Sequence, residues 1–203
     1  MRSILAAGAA TAVLSLATPG TATAQAADTW QFRCPAAGTT VDQSSGTSIR
    51  FRAEAPNNPG SCIVAGGQRR LLGYWSVGEA FYRAGGQRIA NAVASGLDLR
   101  GVQPVTFDYF GTNRTGESIH IQETWGGAAG GSMTTPAGTF DTVRVDREFQ
   151  VIGSAFRYTQ SVWFDRATNV PVAARIEHRN PIQAPSLVNW VATEITRPAM
   201  AAR

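Results

Sequence analysis

From Pro104 to near the C-terminus, apolar residues recur at every second position, and this alternation constrains the chain more than any other feature. Val105, Phe107 and Tyr109 share one side of a run, and Ile119, Ile121 and Trp125 share one side of the next. Val143, Val145 and Phe149 follow, then Phe156, Tyr158, Val162 and Phe164, then Val172, Ala174 and Ile176. A period of two puts successive side chains on opposite faces of a strand. Gly111–Gly116, Thr135–Gly138 and Asn169–Pro171 separate the runs as turns. Connections this short cannot hold a helical crossover, so the strands form an antiparallel meander. A last strand is expected within Ser186–Thr196.

Two stretches break the period. Gly126–Gly131 reads as a flexible loop; it has neither the lysine of a phosphate loop nor a following helix. Ile89, Val93 and Leu97 recur at helical spacing inside a helical stretch of about 77–97. Gly85–Gly86 interrupts that stretch, which leaves Gln87–Ser95 as the firm helix and Gly96 as its stop. The fold class expected is therefore mainly β (α+β): a curved, half-barrel-like antiparallel meander packed with one short helix.

The N-terminus reads as an address. Arg2 precedes an apolar run from Ile4 to Ala17, Pro19-Gly20 breaks it, and two A-x-A sites follow at Ala22–Ala24 and Ala24–Ala26. That is the pattern of a secretory signal peptide over 1–26. Segments 27–76 (a small β section), 77–198 (helix plus meander) and 199–203 (a tail) follow. Export into an oxidising compartment, with an even cysteine count, points to a Cys34–Cys62 disulfide that ties the β section together. The expected location is periplasmic or secreted in a bacterium. No apolar stretch after the signal is long enough for an integral membrane segment.

All 18 basic residues are Arg, so lysine chemistry is impossible. The net charge is only +4 and the Arg residues are scattered, which argues against a nucleic-acid partner.

Leu97-Asp98-Leu99-Arg100-Gly101, Thr135-Pro136-Ala137-Gly138-Thr139-Phe140-Asp141, Val162-Trp163-Phe164-Asp165 and Val170-Pro171-Val172 together carry a resemblance. The stretch 97–194 resembles an uncharacterised bacterial periplasmic or envelope β-domain family with a T-P-A-G-T-F turn. More remotely it resembles half-barrels of the lipoprotein-carrier type, which hold acyl chains under helical lids. The resemblance supplies no catalytic residue, and its bearing on function rests on fold analogy.

The search for chemistry returns little. His120 and His178 are far apart and read as surface histidines, so no metal site and no cofactor is expected. Ser118-x-His120 lacks the context of a nucleophile elbow. Asp146 and Glu148 share a face with Arg144: either a glycosidase-like pair roughly 7 Å apart or a solvated, Arg-balanced face. Glu123 is odd, because its parity matches Ile119, Ile121 and Trp125; a groove rim or a bulge would explain it. The expectation is an exported, non-catalytic envelope protein that binds an apolar or amphipathic, lipid-like ligand or an envelope component. Ile89 and Val93, facing Phe156, Tyr158 and Val162, are the candidate ligand-facing residues. The same helix would alternatively just fill the core. A structural protein contacting anionic envelope polymers and a secreted hydrolase are the competing classes.

Overall fold

A computed structural model describes residues 28–113, 115–179 and 188–198. The expected signal peptide over 1–26, the first two residues of the expected last strand (186–187) and the tail over 199–203 lie outside the described residues. The N-terminal half contributes β1 (Thr29–Trp30), β2 (Thr40–Gln43), β3 (Ser48–Glu54), β4 (Ser61–Val64) and β5 (Arg69–Leu71). A helical segment follows: α1 (Glu79–Phe81), a π-helical turn (Tyr82–Gly86) and α2 (Gln87–Ser95). Then come β6 (Leu97–Asp98), β7 (Val105–Thr112), β8 (Ser118–Thr135), β9 (Gly138–Val151), β10 (Arg157–Asp165), β11 (Pro171–His178) and β12 (Trp190–Thr196). Among the described residues, no helix is long and apolar enough to cross a membrane.

The meander is present as expected. Ten strands form one antiparallel sheet in the order β5-β4-β3-β2-β12-β11-β10-β9-β8-β7, while β1 pairs with β6 beside it. β2 pairs with β12, so the N-terminal section continues the same sheet. The sheet is open, with β5 and β7 as its edges. It is nevertheless strongly curved. Trp75, bridged to the end of β5, meets Trp125 on β8 with ring centroids 4.9 Å apart. Eight strand spacings separate those positions, about 38 Å in a flat sheet, so contact requires the sheet to curl around its inner face.

That inner face is the core. Trp30, Phe32, Phe51, Leu71, Trp75, Phe81, Trp125, Val143, Val162 and Phe164 are buried there. Cys34 and Cys62 form the expected disulfide, with the Cys62 side chain wholly buried. Closing a loop of this length restricts the unfolded chain by roughly 3.6 kcal/mol in the chain-entropy account.

Gly126–Gly131 is not a loop. It runs inside β8, opposite Asp146 through Thr142 of β9, with the register shift between Ala129 and Gly131. Gly130 serves close approach: a Cβ there would lie 2.4 Å from Thr142 Oγ1 and 3.0 Å from Trp163 Cδ1. Gly85–Gly86 likewise does not break the helix. It forms the π turn that leads into α2, because a Cβ on Gly85 would lie 2.5 Å from the Phe107 ring and one on Gly86 2.0 Å from Phe81. Gly85 thus lets the helical segment settle directly on β7, and Gly86 leaves room for the Phe81 ring. Gly96, at φ 108°, ends α2 as expected.

Candidate functional site

The inner face carries a polar layer between aromatic walls. Glu123 on β8 is fully buried, and neither a rim nor a bulge accounts for it. The register shift of β8 lies further along, and Glu123 stays inside because Arg147 of β9 meets it. Arg147 Nε donates to Oε2 at 2.9 Å and Nη2 to Oε1 at 2.6 Å, a bidentate pair. Tyr109 Oη donates to Oε1 and Trp125 Nε1 to Oε2, each at 2.7 Å. Four donors thus satisfy both carboxylate oxygens. The Arg147 guanidinium sits over the Trp125 and Phe149 rings, 5.5 and 5.2 Å from their centroids. Burial works against the Arg147 charge, but the Glu123 carboxylate more than offsets it and holds the guanidinium above its ordinary pKa. Burial, with the Glu123 charge beside it, pushes the Tyr109 phenol far up. A carboxylate saturated in this way has no lone pair free for proton transfer, and the cluster acts as a brace across β7, β8 and β9.

A second layer lies one strand over. Trp75 Nε1 donates to Gln160 Oε1 at 2.7 Å, and Gln160 Nε2 donates to Tyr74 Oη at 3.1 Å. Trp190 Nε1 donates to the same hydroxyl at 3.2 Å. Burial raises the Tyr74 pKa, against these hydrogen bonds and the nearby Arg70 charge. Burial lowers that of Arg70.

Two concavities flank the layers. The first is apolar, about 350 Å³, and lies between α2, the β6–β7 connection and the sheet. Ile89, Val93, Leu97, Val105, Trp125 and Val145 supply most of its wall, with Asp98 and Gln103 as polar members. Gly127 belongs to the wall on the sheet side, where a Cβ would just touch Leu97 at 3.4 Å. The second is a groove of about 680 Å³ between the β2–β3 turn, the Arg70–Ser76 segment, Gln160 and Trp190.

The sequence-predicted residues divide. Ile89 and Val93 line the apolar cavity; Phe156, Tyr158 and Val162 do not. Tyr158 stacks on Phe149 at 5.0 Å with Phe156 edge-on to the same ring at 6.0 Å, and Val162 is buried opposite Val145. The cavity wall meets β9 at Val145, and Phe149 is four residues, about 13 Å, further along that strand. Ser118 makes no hydrogen bond to His120, whose Nε2 instead meets Asp108 Oδ2 at 2.7 Å on an exposed edge. Asp146 and Glu148 pair with Arg144 and Arg157, at 3.0 and 3.1 Å. Among the described residues no cluster of three or more His, Cys, Asp or Glu side chains has the arrangement of a metal site.

Sequence reasoning passed over Arg147. The signal was available: Arg147 interrupts the Val143-Val145-Phe149 stripe as Glu123 interrupts its own, and two opposite charges of inward parity on neighbouring strands call for each other. Arg70, Tyr74 and Trp190 carried no such signal, since they converge from opposite ends of the chain.

No protein-family model, curated protein or solved structure matches this chain.

Proposed function

We propose that this is an exported bacterial envelope protein that binds the apolar part of an amphipathic small molecule without chemically changing it. The apolar cavity under α2 carries the reading. Its volume falls at the small end of ligand pockets, about 300–1,000 Å³. Its wall is aliphatic and aromatic, so it takes hydrocarbon, and the Gln103 amide lies in the same wall for a polar end. The buried disulfide supports an oxidising, exported location, as does the signal-like N-terminus. The Glu123–Arg147 cluster is saturated by its own members, which favours a bracing role for it over chemistry.

The test is titration with an apolar fluorescent probe, followed by displacement with the uncharged amphiphile 1-decanol. Saturable, displaceable binding is expected, and Gly127→Val, which projects methyl groups from the sheet into the cavity, should abolish it. Binding that survives Gly127→Val unchanged, or no saturable binding in the unmutated protein, would overturn the reading.

A further inference from the structure

The groove beside Trp190 is distinct from the apolar cavity, and its hydrogen-bond accounting is unbalanced. An indole nitrogen only donates, so the bond from Trp75 assigns the Gln160 oxygen to Trp75 and its nitrogen to Tyr74. Trp190 also donates to Tyr74. The Tyr74 oxygen therefore accepts twice, and its own proton has no acceptor among the described residues. Arg70 presents the same surplus. Its Nη2 donates to Gln68 at 3.2 Å, its buried Nε has no partner, and no carboxylate pairs with it among the described residues. Gln43 adds to this: its oxygen accepts from Thr47 at 2.6 Å, which leaves its N–H₂ unspent. No described acidic side chain lines the groove.

Among the described residues the wall thus offers donors and one unpaired positive charge, with Tyr74, Trp75 and Trp190 lining the same groove. Unsatisfied donors at a half-buried site cost free energy that a ligand acceptor recovers. A single guanidinium matches a single negative charge, and its planar fork fits a carboxylate. A phosphate dianion would bring a second charge that no further cation among the described lining residues meets. We infer that this groove binds a monoanionic carboxylate carried on a flat ring, with Arg70 and the Tyr74 hydroxyl on the carboxylate and the ring against Trp75 and Trp190.

Calorimetric titration of the purified, disulfide-bonded protein with 1-naphthoate and its uncharged analogue 1-naphthamide tests this. Naphthoate should saturate one site and bind at least about tenfold tighter than the amide, the scale of a charged hydrogen bond. Arg70→Gln should erase that preference, and Tyr74→Phe should weaken naphthoate about three- to tenfold. Arg70→Lys, which keeps the charge, should retain part of the preference and shows that the position tolerates change. Equal affinity for acid and amide, no saturable binding by either, or a preference that survives Arg70→Gln in a folded variant would overturn the inference. So would displacement of naphthoate by an equal concentration of inorganic phosphate. Gly127→Val should leave the naphthoate titration unaltered, so failure at this groove and failure of the apolar cavity are read separately.

Discussion

Glu123 and Arg147 form a bidentate ion pair with the carboxylate wholly buried, at 2.6 and 2.9 Å, on the two strands next to the β7 edge of a curved sheet. Taking both charges out of water is costly, so the pair contributes less net stability than its geometry suggests. Removing one partner is another matter. Glu123→Gln should destabilise by about 3–5 kcal/mol in urea unfolding, because Arg147 stays buried without a counter-ion. The triple variant Glu123→Leu, Arg147→Met, Tyr109→Phe should recover most of that loss. It should fall short by about 1–3 kcal/mol for the orphaned Trp125 N–H. A triple variant less stable than Glu123→Gln would show that the brace itself holds the sheet.

All four tyrosines, Tyr74, Tyr82, Tyr109 and Tyr158, have their pKa raised, with burial as the leading cause in each. A folded-state pKa above the unfolded value means the native state holds its protons longer. The associated stability is complete below about pH 10, the unfolded phenol value, and declines as pH rises above it. Phenolate absorbance at 295 nm should therefore appear together with loss of near-ultraviolet circular dichroism. A phenolate signal near pH 10 at full amplitude in a still-folded protein would contradict this.

Val143 is wholly buried, and its neighbour Arg144 faces outward beside Asp146. Val143→Asp should cost several kcal/mol by burying an unpaired carboxylate. Arg144→Asp should cost less than about 1 kcal/mol, since it removes an exposed pair. Thermal melts of the two variants check the register of β9, and equal losses would refute it.

Gly85 and Gly126 differ in what a side chain would meet. A Cβ at Gly85 would lie 2.5 Å from the Phe107 ring, whereas nothing lies within 4 Å at Gly126. Gly85→Ala should destabilise by about 1–3 kcal/mol through overpacking. Gly126→Ala should be neutral or stabilise by up to about 1 kcal/mol, by restricting the unfolded chain. Chemical denaturation of both variants would settle the order.

Much of the architecture was legible in the chain because local rules carry it. The alternation from Val105 onward, the turn at Thr135–Gly138 and the helix over Gln87–Ser95 each follow from neighbours in sequence. The Gly126–Gly131 stretch misled, because its glycines signal flexibility in isolation and become strand only when β9 supplies hydrogen bonds. Of the site, Ile89 and Val93 were legible from helical spacing; their expected facing partners Phe156 and Tyr158 were not placed there, since spacing says nothing of where α2 crosses the sheet.

The sequence by itself determined the strand period, the turn positions and the short helix, each a matter of backbone preference and burial within a few residues, and the cysteine pair, because the chain has only two cysteines to join. Only the tertiary structure decided which buried charges meet and where space remains. Curling the sheet brought Trp75 to Trp125, Tyr74 to Trp190 and Gln160, and α2 over Gly127. Those distances arise from the sum of twist and packing over ten strands, which no local window contains.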